Sequence, residues 1–216
     1  PVPETPVSSV PAGLKGNFTH AAYLEAVSRA REYICAGDIF QVNLSQRFDI
    51  QLDITPWELY KRLRAINPAP FASYFSFDGV SVVGASPERY MKVTGDRVET
   101  RPIKGTAPRG KNPEEDKELA NSLLDSRKDR AENIMIVDLE RNDIGRVCRY
   151  GTVKVTELAI LETYPTVFHL TSTVVGQLQE GKGIIDLLKA SFPGGSITGA
   201  PKVRAMEIIE ELEPTR

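Results

Sequence analysis

Between residues 71 and 103 apolar and polar side chains alternate in three runs separated by two-residue turns, and this pattern limits the fold more than any other stretch. "FASYFSF" leads into Asp78-Gly79, "VSVVGASPERYMKV" into Gly95-Asp96, and "RVETRPI" closes the region. Paired Asp and Gly tolerate the positive φ angles of tight hairpins. The spacing therefore predicts a three-stranded antiparallel meander. With Gly95 and Asp96 at the turn, Thr94 faces Arg97 and Glu88 falls opposite Ile103, one residue from Lys104. Pro87, Pro102 and Gly105 interrupt regular pairing there, so a bulge or strand end can aim Glu88 and Lys104 at one point.

Helical patterns flank these strands. Thr19 caps a run in which Tyr23, Val27, Ala30 and Ile34 recur, ending at Gly37. "TPWE" at 55–58 is a capping box with proline in the first turn, and its helix ends before Asn67-Pro68. Asn112-Pro113 opens another helix, which "RKDRAENIMIVDLERND" continues in register. "FQVNLSQRF" alternates as a strand with Phe40, Val42 and Leu44 on its buried face. Further β segments lie around "GTVKV" and "PTVFHLTSTVVGQL", and the end reads helix, Gly-rich loop, helix. Strands mixed with helices, without regular βαβ alternation, define an α+β fold. The prolines and serines of residues 1–16 suit a linker, leaving 17–216 as one domain.

Composition narrows the partners. The formal net charge is −2 with both signs interspersed, which disfavours a nucleic-acid footprint and a polybasic membrane patch. No apolar run has the length of a spanning helix and no signal-peptide pattern opens the chain, so a cytoplasmic location is expected. Cys35 and Cys148 have neither CxxC nor metal-ligand spacing and read as buried free thiols.

Several groups can carry chemistry. Glu88 and Lys104 form either a surface ion pair or a carboxyl and an amine flanking a small substrate. Arg101 and Arg109, if close, disfavour a charged ammonium on Lys104 and favour a neutral nucleophile. "PGGSITGAPK" (193–202) is a tight connection or a loop whose backbone N–H groups hold an anion, a carboxylate rather than a nucleotide phosphate. Asp125, Asp129 and Glu132 recur at helical spacing, as a solvated face or as oxygen ligands for Mg²⁺, with Glu132 the best placed. His169, between Phe168 and Leu170, reads first as a core histidine.

Together, "GDIFQVNLSQRF", "GASPERY", "TRPIKGTAPRG", "KDRAENIMIVDLERNDIGR", "FHLTST" and "PGGSITGAPKVRAMEIIEELEP" resemble the chorismate-utilising enzymes, from about residue 17 to the end. The resemblance implies an antiparallel β-sandwich core flanked by helices. Anthranilate synthases of this family typically read "PIAGT" where aminodeoxychorismate synthases carry lysine, and this chain reads "PIKGT". By resemblance Lys104 is the nucleophile toward C2 of chorismate and Glu88 the general acid. Glu132 is then the Mg²⁺ ligand, and His169 lies near the ring. Gly105, Thr106, Gly195, Ser196, Thr198 and Gly199 line the substrate. Gln41 stands where isochorismate-type members place a lysine base, which argues against water as nucleophile. The implied product is 4-amino-4-deoxychorismate, for p-aminobenzoate and folate. Ammonia would come from a glutamine amidotransferase subunit or fused domain. Anthranilate synthesis and a non-catalytic chorismate-binding module are the alternatives. The family continues past "ELEP" with strands supplying an arginine and a second Mg²⁺ glutamate, so 17–216 is expected to be a truncated, poorly active catalytic domain with exposed sheet edges.

Overall fold

The computed structural model describes residues 12–215. The fold is α+β, with all strand pairs antiparallel. Its centre is a five-stranded sheet made of β6 (Arg89–Thr94), β7 (Arg97–Arg101), β8 (Ile103–Pro108), β9 (Lys154–Thr163) and β10 (Val167–Gln177). The long strand β10 pairs with β9 along one edge. Along the other it meets β7 with its C-terminal half and β8 with its N-terminal half.

The expected meander does not form. β4 (Phe71–Phe77) and β5 (Val80–Ser86) make a separate two-stranded sheet, turned at Asp78 and Gly79, both with positive φ. The predicted middle strand is broken at Pro87, which has no N–H to donate. Only its second half, β6, pairs with β7. Near the turn the register is the expected one: Thr94 faces Arg97, Val93 faces Val98 and Lys92 faces Glu99. It then slips, so that Arg89 faces Arg101, and this irregularity frees Glu88 to reach Ile103 with its side chain.

The helices follow the capping chemistry. α1 (His20–Ala36) is capped by Thr19, whose hydroxyl accepts from Ala22 N, and ends at left-handed Gly37. α2 (Pro56–Ile66) is capped by Thr55. α3 (Pro113–Asp125) is capped by Asn112, and the Glu115 carboxylate accepts from Lys111 N. The expected continuous helix breaks at Ser126, which adopts an extended conformation, and α4 (Arg127–Gly145) starts afresh with Ser126 as its cap. α5 (Ile184–Ser191) and α6 (Lys202–Leu212) flank the Gly-rich loop.

"FQVNLSQRF" holds two short pieces, β2 (Gln41–Val42) and β3 (Phe48–Asp49), and Phe40 is exposed. β3 pairs with β1 (Lys15–Gly16), so regular structure begins just inside the expected linker, whose first eleven residues lie outside the described ones. β2 pairs with β11 (Gly199–Ala200) of the Gly-rich loop.

The main core lies between the sheet, α4 and α5. Val98, Val137, Ile144, Cys148, Val174 and Leu187 are buried there together. A second cluster joins Leu123 of α3 to Phe168 and Leu170 of β10, and a third joins Ile39 to Ala205 and Ile208 of α6. Each fully buried aliphatic side chain stabilises the fold by about 1.5–3 kcal/mol. Cys148 is buried as expected, whereas Cys35 is exposed because it lies on the outer side of α1. On the β4–β5 hairpin, Phe75, Phe77, Val80 and Val82 are exposed.

Gly199 has φ +142, and a Cβ there would sit 2.2 Å from the Gln41 carbonyl oxygen. Gly199→Ala should therefore break the β2–β11 pairing and cost about 2–3 kcal/mol. Urea unfolding checks this; an unchanged midpoint would contradict the close approach.

Candidate active site

Four elements converge on the loop between α5 and α6. Glu88 directly precedes β6, Lys104 is on β8, Gln41 on β2 and Glu132 on α4, while Ser196 is in the loop. Glu88 Oε1 accepts from Ile103 N at 2.7 Å and from Ser196 Oγ at 2.8 Å. Lys104 Nζ donates to the Ser196 carbonyl oxygen at 3.5 Å. Ser196 thus links the acid to the amine, the pair that hairpin register had set side by side. Arg101 and Arg109 do not act on Lys104 as the sequence suggests. Arg101 binds Glu157, Glu162 and Thr173, and Arg109 binds Asp116 and the Tyr164 carbonyl oxygen.

Two further contacts join residues that the sequence singles out separately. Gln41 Nε2 donates to Glu132 Oε1 at 3.3 Å, because the β2–β11 pairing brings Gln41 against α4. Thr106 Oγ1 and His169 Nδ1 lie 2.8 Å apart on facing positions of β8 and β10, with Tyr164 packed edge-on against the imidazole. Burial holds the His169 imidazole below its ordinary value despite the opposing pull of Glu162 and Glu88, so it is neutral near pH 7.

Other expected groupings come apart. Asp125 is the last residue of α3, and Asp129 is engaged with the Ser126 hydroxyl at the start of α4, so neither joins Glu132. Among the described residues no three His, Cys, Asp or Glu side chains cluster as a metal site. Half-buried Glu132 alone can serve Mg²⁺ where substrate oxygens and water complete the shell. The loop amides are also largely committed. Gly195 N donates to Glu140 Oε1 at 3.2 Å, and the Ile197 and Thr198 amides close the short turn at 195–197. The Thr198 hydroxyl turns inward to the Gly194 carbonyl oxygen, and Gly105 packs over Asp129. Of the loop residues expected to line a substrate, Ser196 faces a cavity of about 320 Å³, which Glu88, Tyr90, Pro102, Glu140 and Phe192 also line. Lys104, Glu132 and His169 lie outside that lining.

Sequence reasoning missed the groups that hold the loop. Glu140 and Asp143 on α4 are buried, 3% and 4% exposed. Lys202 Nζ forms an ion pair with Asp143 and donates to the carbonyl oxygens of Ser191 at 2.9 Å and Pro193 at 2.7 Å. Burial pushes the Asp143 carboxyl up, against the Lys202 ammonium. Burial, reinforced by Asp143, pushes Glu140 up to about 7, and its Oε2 has no hydrogen-bond partner. A signal was present: Glu140 and Asp143 share the helical face of Ile136 and Ile144, where carboxylates are out of place unless they hold something.

In this open antiparallel α+β fold an acid, an amine and a Gly-rich loop meet beside a cavity of a size to hold a small molecule. The model of the chorismate binding enzyme family matches residues 1–216, and the chain belongs to that family. It is 51% identical over 199 residues to aminodeoxychorismate synthase component 1 of Bacillus subtilis, covering 92% of this chain and 42% of that protein. It is 54% identical over 205 residues to anthranilate synthase component 1 of Thermus thermophilus, covering 95% and 44%. The crystal structure of anthranilate synthase component I from Streptococcus pneumoniae superposes with a TM-score of 0.83 at 40% identity, over 93% of this chain and 44% of that one. The chain thus spans less than half the length of these relatives. No described helix is long and apolar enough to cross a membrane.

Glu140 sets a pH dependence. Below about pH 4.5 it is protonated in folded and unfolded chains alike. Between that pH and about 7 the unfolded chain releases the proton first, so stability falls as pH rises. Glu140→Gln should gain about 1–3 kcal/mol relative to the unsubstituted protein between pH 5 and pH 8, measured by urea unfolding. A difference that does not change with pH would contradict this.

Proposed function

We propose that this protein is component I of an aminodeoxychorismate synthase, which replaces the C4 hydroxyl of chorismate with an amino group. The observation that carries the reading is Lys104 held 3.5 Å from the Ser196 carbonyl oxygen, while the same serine's hydroxyl binds Glu88. Family relatives with aminodeoxychorismate and anthranilate activities stand at similar identity, so the choice between them rests on this lysine.

The half-buried Lys104 amine adds to ring carbon C2, both conjugated ring double bonds shift, and the C4–O bond breaks as Glu88 gives a proton to the departing oxygen, releasing water. Ammonia then attacks C4, both double bonds shift back, and the C2–N bond to Lys104 breaks. Glu132 is the residue that would hold Mg²⁺, which when bound screens the negative charge of a substrate carboxylate. Gln41, bonded to Glu132, is an amide with no basic nitrogen, and it cannot activate water as a lysine there would. His169, neutral and held by Thr106, can hydrogen-bond the ring substituents without adding charge. Ammonia would be supplied by a glutamine amidotransferase, in p-aminobenzoate and folate synthesis in the cytoplasm. A second reading, anthranilate formation, is favoured by the 54% identity to the Thermus thermophilus protein.

The test is product analysis by mass spectrometry with chorismate, Mg²⁺ and ammonium, using the full-length protein that carries these residues. Aminodeoxychorismate with its enolpyruvyl group retained is expected. Lys104→Ala should slow its formation by roughly two orders of magnitude. Anthranilate as the sole product would overturn the assignment.

A further inference from the structure

Both donors on the Glu88 side chain reach the same oxygen. Ile103 N and Ser196 Oγ each point at Oε1, at 2.7 and 2.8 Å, and Oε2 takes no hydrogen bond among the described residues. A protonated carboxyl has one carbonyl oxygen, which accepts, and one hydroxyl oxygen, which donates. Two donors converging on Oε1 favour it as the carbonyl oxygen and leave the proton on Oε2.

The groups that aim these donors are fixed independently of Glu88. Ile103 N is a backbone donor that directly follows buried Pro102. Ser196 sits in a loop anchored to α4 at two points, through Gly195 N on Glu140 and through Lys202, which binds Asp143 together with the Ser191 and Pro193 carbonyl oxygens. A Cβ at Gly195 would lie 2.5 Å from Leu139 Cδ2, so the loop lies hard against the helix. The neighbouring hydroxyl Thr198 is turned into the loop itself, which leaves Ser196 as the loop hydroxyl that faces Glu88.

We propose that Ser196 is a positioning residue for proton transfer: with Ile103 N–H it pins Glu88 through Oε1, so that Oε2 holds the proton and delivers it. This rests on the reading of Glu88 as the acid. In the step, the C4–O bond breaks and its electron pair takes the proton from Oε2. Water leaves, and Glu88 becomes a carboxylate whose Oε1 keeps both donors. The Ser196 carbonyl oxygen meanwhile accepts from Lys104 Nζ, so one residue sets the acid and the nucleophile relative to each other. The sequence suggests substrate contact for this hydroxyl; the geometry gives it the acid instead.

The experiment compares Ser196→Ala and Ser196→Thr in the full-length protein. For Ser196→Ala, kcat is expected to fall by about 10- to 100-fold with KM for chorismate within about twofold, and Ser196→Thr to restore most of the rate. A raised KM with kcat retained would overturn the proposal, because it would mean that the hydroxyl binds substrate. Infrared difference spectra against Glu88→Gln at acid pH provide a readout that needs no turnover and survives failure of the functional reading. The carbonyl stretch of protonated Glu88 should rise in Ser196→Ala, where Oε1 loses one donor, and return in Ser196→Thr. An unmoved band in a folded Ser196→Ala protein would overturn the proposal even if aminodeoxychorismate is the product. Formation of anthranilate together with the band shift would overturn the functional reading and leave Ser196 in its role.

Discussion

The ion pair between Lys202 and Asp143 is the constraint on which the site depends. Lys202 is the first residue of α6, yet its ammonium reaches back across the loop to two carbonyl oxygens at the loop's start and to a carboxylate on α4. This closes residues 191–202 into a ring fastened to one helix. Two charges this deeply buried are costly to desolvate, and the additional carbonyl partners offset that cost. Removing either partner leaves an uncompensated buried charge, typically a loss of about 3–5 kcal/mol. The pair stabilises a geometry more than it stabilises the fold.

The same helix organises the rest of the candidate site. Along α4, Glu132 meets Gln41, and Asn133 is fully buried, accepting from the Ser172 hydroxyl and donating to the Leu170 carbonyl oxygen of β10. Ser172 in turn accepts from Ala159 N of β9. This polar spine fixes the rotation of α4 against the central strand, so Glu132, Glu140 and Asp143 leave the helix at set positions. Apolar packing by Val137 and Ile144 holds the helix on the sheet, and the directional bonds decide which way it faces. The proposed chemistry then depends on the second anchored surface, the β6–β7 hairpin, whose irregular end delivers Glu88.

Much of this was legible in the sequence because it is local. Helix caps at Thr19, Thr55 and Asn112 and the tight turns at Asp78-Gly79 and Gly95-Asp96 follow from residue chemistry, and the approach of Glu88 to Ile103 follows from the irregularity that Pro87 and Pro102 signal at the hairpin's end. What failed depended on tertiary competition. Apolar alternation could not reveal that β7, paired with β6 as expected, takes β10 on its other edge while β4 and β5 pair apart from that sheet. Helical periodicity ran unbroken through Ser126 because a cap and an interior serine look alike until the chain turns. The spacing of Asp125, Asp129 and Glu132 lost its meaning with that break. The partners of Lys202, Glu140 and Asp143 were hidden because they are backbone atoms and groups on other elements.

The most direct test of the account is to look for the bond that Lys104 is said to make. The full-length protein would be mixed with chorismate and Mg²⁺ without ammonia, quenched, digested and mapped by peptide mass spectrometry. An adduct on Lys104 with the mass of chorismate less one water is the predicted result. Aminodeoxychorismate formation on adding ammonia, with Lys104 unmodified at every stage before it, would contradict the account.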